Sequence, residues 1–109
     1  MSAETYIELR EKMAMLDKAL REIKPRGVEF AEAEKDYRAA LAAKILELRA
    51  DKYPVTITPD LARGDPHVSE LRFKRDCAEA LYKAAYEGIN ILKLSIKILE
   101  SEIDREFRS

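Results

Sequence analysis

From Pro66 to Phe107 apolar side chains recur at helical spacing on two opposite faces, and no proline follows Pro66. One face runs through Ala78, Leu81, Tyr82, Ala85, Ile89, Leu92, Ile96, Leu99, Ile103 and Phe107. A turn of about 100° per residue sets Phe73, Cys77, Ala80, Ala84, Ile91, Leu94 and Ile98 across the axis from it. A helix that is apolar on two sides needs cover on both. The stretch Ile89 to Leu99 also alternates as a strand would, but it lies among strong helix formers with no turn signal on either side, so the period resolves as helical.

Upstream, Tyr6, Leu9, Met13, Leu16, Leu20 and Ile23 are spaced three, four, three, four, three, the seam of a first helix over about residues 3–24. Lys24-Pro25-Arg26-Gly27 predicts a break there, because proline lacks a donor and disfavours helical geometry at the residue before it. The alternative is one long bent helix, since the same spacing continues through Gly27, Phe30, Glu34, Tyr37 and Leu41. A second helix over about 28–50 would bury Phe30, Ala33, Tyr37, Ala40, Leu41, Ile45 and Leu48.

Residues 51–65 read as ordered punctuation. Tyr53 to Thr58, β-branched and proline-bearing, reads as extended but too short for a sheet. Thr58-Pro59-Asp60 reads as a cap with proline at the first helical position, opening a short turn that ends near Gly64, where a positive φ is expected. Asp65-Pro66 repeats the device to start the third helix.

At 1.5 Å rise per residue the third helix spans about 63 Å, and the first two about 33 and 35 Å. Laid end to end against the third, the first two match it. The chain is therefore expected to be all-α, an elongated antiparallel helical hairpin or a three-helix bundle with a long C-terminal helix. Either route leaves apolar surface for assembly into a helical-bundle oligomer.

Composition supports one helical domain over residues 1–109: 38% charged and 47% hydrophobic residues suit amphipathic helices and exclude disorder. Twenty basic against twenty-one acidic side chains leave no broad electropositive footprint for nucleic acid. No apolar run reaches membrane length, and the start Met1-Ser2-Ala3-Glu4-Thr5 lacks a basic, apolar leader, so no membrane partner or export is expected. A lone cysteine, Cys77, fits a reducing cytoplasm and packing on an apolar face.

The candidate chemistry is sparse. Glu29, Glu32, Glu34 and Asp36 form the densest acidic cluster, expected to face Asp76 and Glu79, and carboxylates on facing helices suit Mg²⁺. Glu29-x-x-Glu32 with Asp76-x-x-Glu79 resembles the paired carboxylates of all-helical nucleotide pyrophosphohydrolases, although the second pair departs from the Glu-x-x-Asp expected there. Solvated charge on an amphipathic helix explains these residues without a metal. With His67 as the sole histidine, at a helix start, zinc, di-iron and triad chemistries lack parts. Arg63-Gly64-Asp65 spells an adhesion tripeptide that helix punctuation already explains. No catalytic residue, metal or cofactor is assigned.

Two surfaces remain. Phe73, Cys77, Ala84, Ile91, Leu94 and Ile98 form the candidate interface on the back of the third helix. Arg49, Lys52, Arg63, Arg72, Lys74 and Arg75 form a basic neighbourhood, a candidate nucleic-acid contact with Tyr53 and Phe73 for stacking, diluted by Asp51, Asp60, Asp65 and Glu70.

The resemblance of the chain to other proteins rests on Ala31-Glu32-Ala33-Glu34 followed by Tyr37, on the connector Tyr53-Pro54-Val55-Thr56 with Asp60-Leu61-Ala62-Arg63-Gly64-Asp65, and on a helix carrying Arg75-Asp76, Ala78-Glu79-Ala80 and Lys93. From Phe30 onward the chain thus resembles small helical proteins encoded by bacteriophages and prophages of Gram-positive bacteria, of unassigned function. The resemblance implies an accessory or assembly protein in the host bacterial cytoplasm and transfers no active-site residue. The reading is a non-enzymatic interaction or assembly module, with a homo-oligomer or another protein as partner. A nucleic-acid-binding accessory role and a Mg²⁺-dependent nucleotide hydrolase are the alternatives.

Overall fold

The computed structural model describes residues 3–108; Met1 and Ser2, where the N-terminal reading begins, and Ser109 lie outside them. Three helices follow in order, α1 (Ala3–Ala50), α2 (Thr58–Arg63) and α3 (Pro66–Arg108), with no strand among the described residues. The all-α expectation holds. The third helix ends one residue beyond where its apolar pattern stops.

The expected break at Pro25 does not occur: residues 3–50 form a single helix with Pro25 inside it. This also removes the arrangement in which a first helix folds back beside a second. Pro25 is exposed, as is Arg21, whose carbonyl would have accepted the missing hydrogen bond. On a solvent-facing side water satisfies that carbonyl, so the interruption costs less than it would in a core. Leu9, Lys12, Leu16, Ala19, Ile23, Arg26, Phe30, Ala33, Tyr37, Ala40, Lys44 and Leu48 are all half-buried or buried, at three- and four-residue steps.

That strip corrects the expected seam. Tyr6, Met13 and Leu20 are exposed, while Lys12 and Ala19 take the covered positions between Leu9, Leu16 and Ile23. A strip chosen by large apolar residues alone passes over a small alanine and over the aliphatic stem of a lysine.

Packing divides the chain into two compact units, Arg26–Leu81 and Met1–Pro25 with Tyr82–Ser109. Within residues 26–81, Ala33, Tyr37 and Leu48 of α1, Thr58 and Ala62 of α2 and Val68 of α3 are buried. Here α1 and α3 run antiparallel, for Glu34 meets Arg75 and Lys44, ten residues later, meets Asp65, ten residues earlier. The other unit pairs the start of α1 with the end of α3, where Tyr6 and Leu9 share a hollow with Glu100, Ile103, Asp104 and Phe107. Its buried hydrophobics, among the described residues, are Ile89 and Leu99. Leu81 and Phe107, expected on the covered face of α3, are both exposed.

The connector is ordered, by different devices from those expected. Lys52, not a glycine, takes a positive φ of 66°. The Tyr53 amide donates to the Leu48 carbonyl and the Lys52 amide to Arg49, the paired bonds of a Schellman ending for α1. Gly64 has φ −81°, so no positive φ is used there. Residues 55–57 turn instead of extending, with the Ile57 and Thr58 amides both donating to the Pro54 carbonyl. Thr58 does not cap α2. Its hydroxyl donates back to the Pro54 carbonyl at 2.8 Å, and Ile57 stands at the N-cap position. Asp65 does cap α3, its carboxylate accepting from the His67 and Val68 amides at 3.1 and 3.2 Å.

A proline inside a continuous helix forfeits a hydrogen bond, whereas one in a turn stiffens the unfolded chain to advantage. Pro25→Ala is therefore expected to stabilise the protein by about 1–3 kcal/mol in urea denaturation. A neutral or destabilising effect would place a turn at that position.

Candidate functional site

The six candidate interface positions lie in both units: Phe73 and Cys77 within residues 26–81, and Ala84, Ile91, Leu94 and Ile98 in the unit that contains Tyr82 to Arg108. All six are exposed. Ile91, Leu94 and Ile98 are 58%, 59% and 51% accessible, high for side chains of this size in the middle of a long helix. They recur at three and four residues and so share one side of α3. Leu94 and Ile98, with Lys97, Ser101 and Arg105, line an open hollow on that side. Leu94, Lys97, Ile98 and Ser101 stand at i, i+3, i+4 and i+7, the four corners of a hole that receives a side chain from a facing helix. The apolar pattern alone misses Lys97 and Ser101, since neither is hydrophobic. Helical spacing around Leu94 was the signal that would have found them.

The basic neighbourhood is partly spent inside its own unit. Arg75 lies over the Tyr37 ring at 4.6 Å, donates to Glu34 at 3.3 Å and clasps Asp76 at 2.9 and 3.0 Å. Arg63 pairs with Asp60 at 3.3 Å. Lys74 borders a hollow that also holds Glu29, Glu32 and Asp36 together with Cys77, Ala78 and Leu81. Arg49, Lys52 and Arg72 remain as exposed cations. The cation over Tyr37 escaped the sequence reading because its partners lie some forty residues apart.

The acidic residues do not converge. Glu29, Glu32 and Asp36 share their hollow with a lysine, Glu34 turns to Arg38 and Arg75, and Asp76 is held by Arg75. No group of three or more His, Cys, Asp or Glu among the described residues is placed to hold a metal ion. His67 is exposed in the first turn of α3, as its position implied, and Cys77 is an exposed free thiol, not a packed one. No helix among the described residues is long and apolar enough to cross a membrane.

Compared with models of known protein families, with curated proteins and with solved structures, the chain finds no match in any of the three.

Two carboxylates are tuned by the packing of residues 26–81. The hydrogen bond from Arg38, followed by the charge of Arg75, holds Glu34 below the usual carboxylate range despite an opposing contribution from partial burial. The Val68 amide, followed by the Lys44 charge, does the same for Asp65. Both groups are more acidic folded than unfolded. Each therefore stabilises the fold at neutral pH, and that stabilisation is lost as pH falls through the lowered folded value. Urea midpoints are expected to be level above about pH 5 and to fall below it, with Glu34→Gln and Asp65→Asn flattening the acid limb. An acid limb identical to that of the wild type in both variants would contradict the assignment.

Proposed function

We propose that the protein is a non-enzymatic helical interaction or assembly module that acts by self-association and partner-helix packing. The exposed stripe Ile91, Leu94, Ile98 carries this reading, because it belongs to a unit in which Ile89 and Leu99 are the buried hydrophobics among the described residues. Apolar surface of this kind is removed from water when a second helical face is laid on it. Resemblance from Phe30 onward to small phage and prophage proteins supports an accessory or assembly role of that type in the host bacterial cytoplasm. The basic positions offer less, since Arg75 and Arg63 already have carboxylate partners.

Light scattering across a concentration series tests the proposal. The wild type is expected to be an oligomer, and Ile98→Asp, which sets a charge in the apolar stripe, to shift it to monomer with at least a tenfold loss of association, or about 1.4 kcal/mol or more. A well-folded wild-type monomer at high concentration would refute it.

A further inference from the structure

Along α3 the exposed side that carries the apolar stripe does not stop at its apolar members. Glu87, Ile91, Leu94, Ile98, Ser101 and Arg105 follow one another at steps of four, three, four, three and four, and all six are exposed. Steps of that kind keep residues within one narrow strip of a helix. The strip has an acid at one end, a base at the other and bulky apolar groups between. Neither Glu87 nor Arg105 takes part in an ion pair among the described residues, whereas Arg108, one turn from Arg105, is already paired with Asp104 at 3.2 Å.

Such a strip is complementary to itself when reversed. We infer that the occupant of this face is a second copy of the chain, packed antiparallel about a two-fold axis at residue 96, with Glu87 of each copy opposite Arg105 of the other. The inference rests on the self-association reading and gives it a direction and a register. In this register Leu94 of one copy stands opposite Lys97 and Ile98 of the other. It enters the hole whose corners are Leu94, Lys97, Ile98 and Ser101, a hole that is open in the single chain. The second copy's Leu94 fills the first copy's hole in the same way, as a two-fold axis requires. Ile91 packs opposite Ser101, the small residue at the position where a bulky one arrives.

Charge decides between the two orientations of the helix pair. A parallel pairing would set Glu87 against Glu87 and Arg105 against Arg105, two like-charge contacts at the ends of an apolar seam. The antiparallel pairing makes two opposite-charge contacts from the same four side chains. Electrostatic complementarity of this kind sets orientation and register more than it sets affinity. The apolar middle supplies the association and the charged ends choose its direction.

Charge reversal in the full chain, read by sedimentation equilibrium, tests the pairing. Glu87→Arg and Arg105→Glu are each expected to weaken self-association by about tenfold, because each places like charges opposite one another twice. The double variant Glu87→Arg/Arg105→Glu is expected to regain wild-type association, and an equimolar mixture of the two single variants to associate as well as the wild type. A wild type that associates while both single variants do so unchanged would overturn the antiparallel pairing and leave self-association standing. A monomeric wild type would overturn both.

Cross-linking supplies a second reading should a charge variant fold poorly. In a Cys77→Ala background, mixed Glu87→Cys and Arg105→Cys chains are expected to form a disulfide-linked dimer under mild oxidation. Glu87→Cys alone should not, because its own copies would stand 18 residues, or about 27 Å, apart along the helices. Efficient cross-linking of Glu87→Cys with itself would establish the parallel pairing and refute the inference.

Discussion

Two helices lying side by side can cover only one strip on each other, and residues 82–108 of α3 carry two. The first, centred on Ile89, Leu92, Ile96 and Leu99, lies within a unit built from the start of α1 and the end of α3, and there Ile89 and Leu99 are buried. The second, through Ile91, Leu94 and Ile98, has no third helix in that unit to lie beneath. This shortage accounts for the exposure of Ile91, Leu94 and Ile98 and for the open hole at Leu94.

The unit formed by residues 26–81 is the contrast. It has the same two long helices and adds α2, and with α2 come the two most deeply buried hydrophobics, Ala62 and Val68, together with Thr58. Its polar residues are also used locally: Glu34, Arg38, Arg75, Asp76 and Tyr37 form one connected group, and Lys44 bridges Glu47 and Asp65. One short helix thus separates a unit with its own small core from one that leaves Ile91, Leu94 and Ile98 exposed. Pro25 marks where α1 passes from one unit to the other, without interrupting the helix.

Much of this was legible in the order of residues. The two faces of α3, its start at Asp65-Pro66 and the all-helical class follow from periodicity and from capping chemistry, which are local. What was not legible depended on balance between distant parts. The fate of Pro25 turned on its exposure, since a hydrogen bond lost on a solvent-facing side is replaced by water. The end of α1 took a lysine into left-handed geometry, a place where glycine is favoured, because the Tyr53 and Lys52 amides gain two carbonyl partners in return. On the candidate face, a pattern counted in hydrophobic residues found Ile91, Leu94 and Ile98 but passed over Glu87, Ser101 and Arg105, the polar members that give the strip its direction.

On the proposed reading, the unit containing Tyr82 to Arg108 completes its core by association with another helical face. The most direct measurement is the thermal unfolding midpoint over a hundredfold range of protein concentration. If folding and association are linked, the midpoint rises steadily with concentration, because mass action favours the assembled state. A midpoint that stays fixed across that range, with a single cooperative transition, would contradict the account.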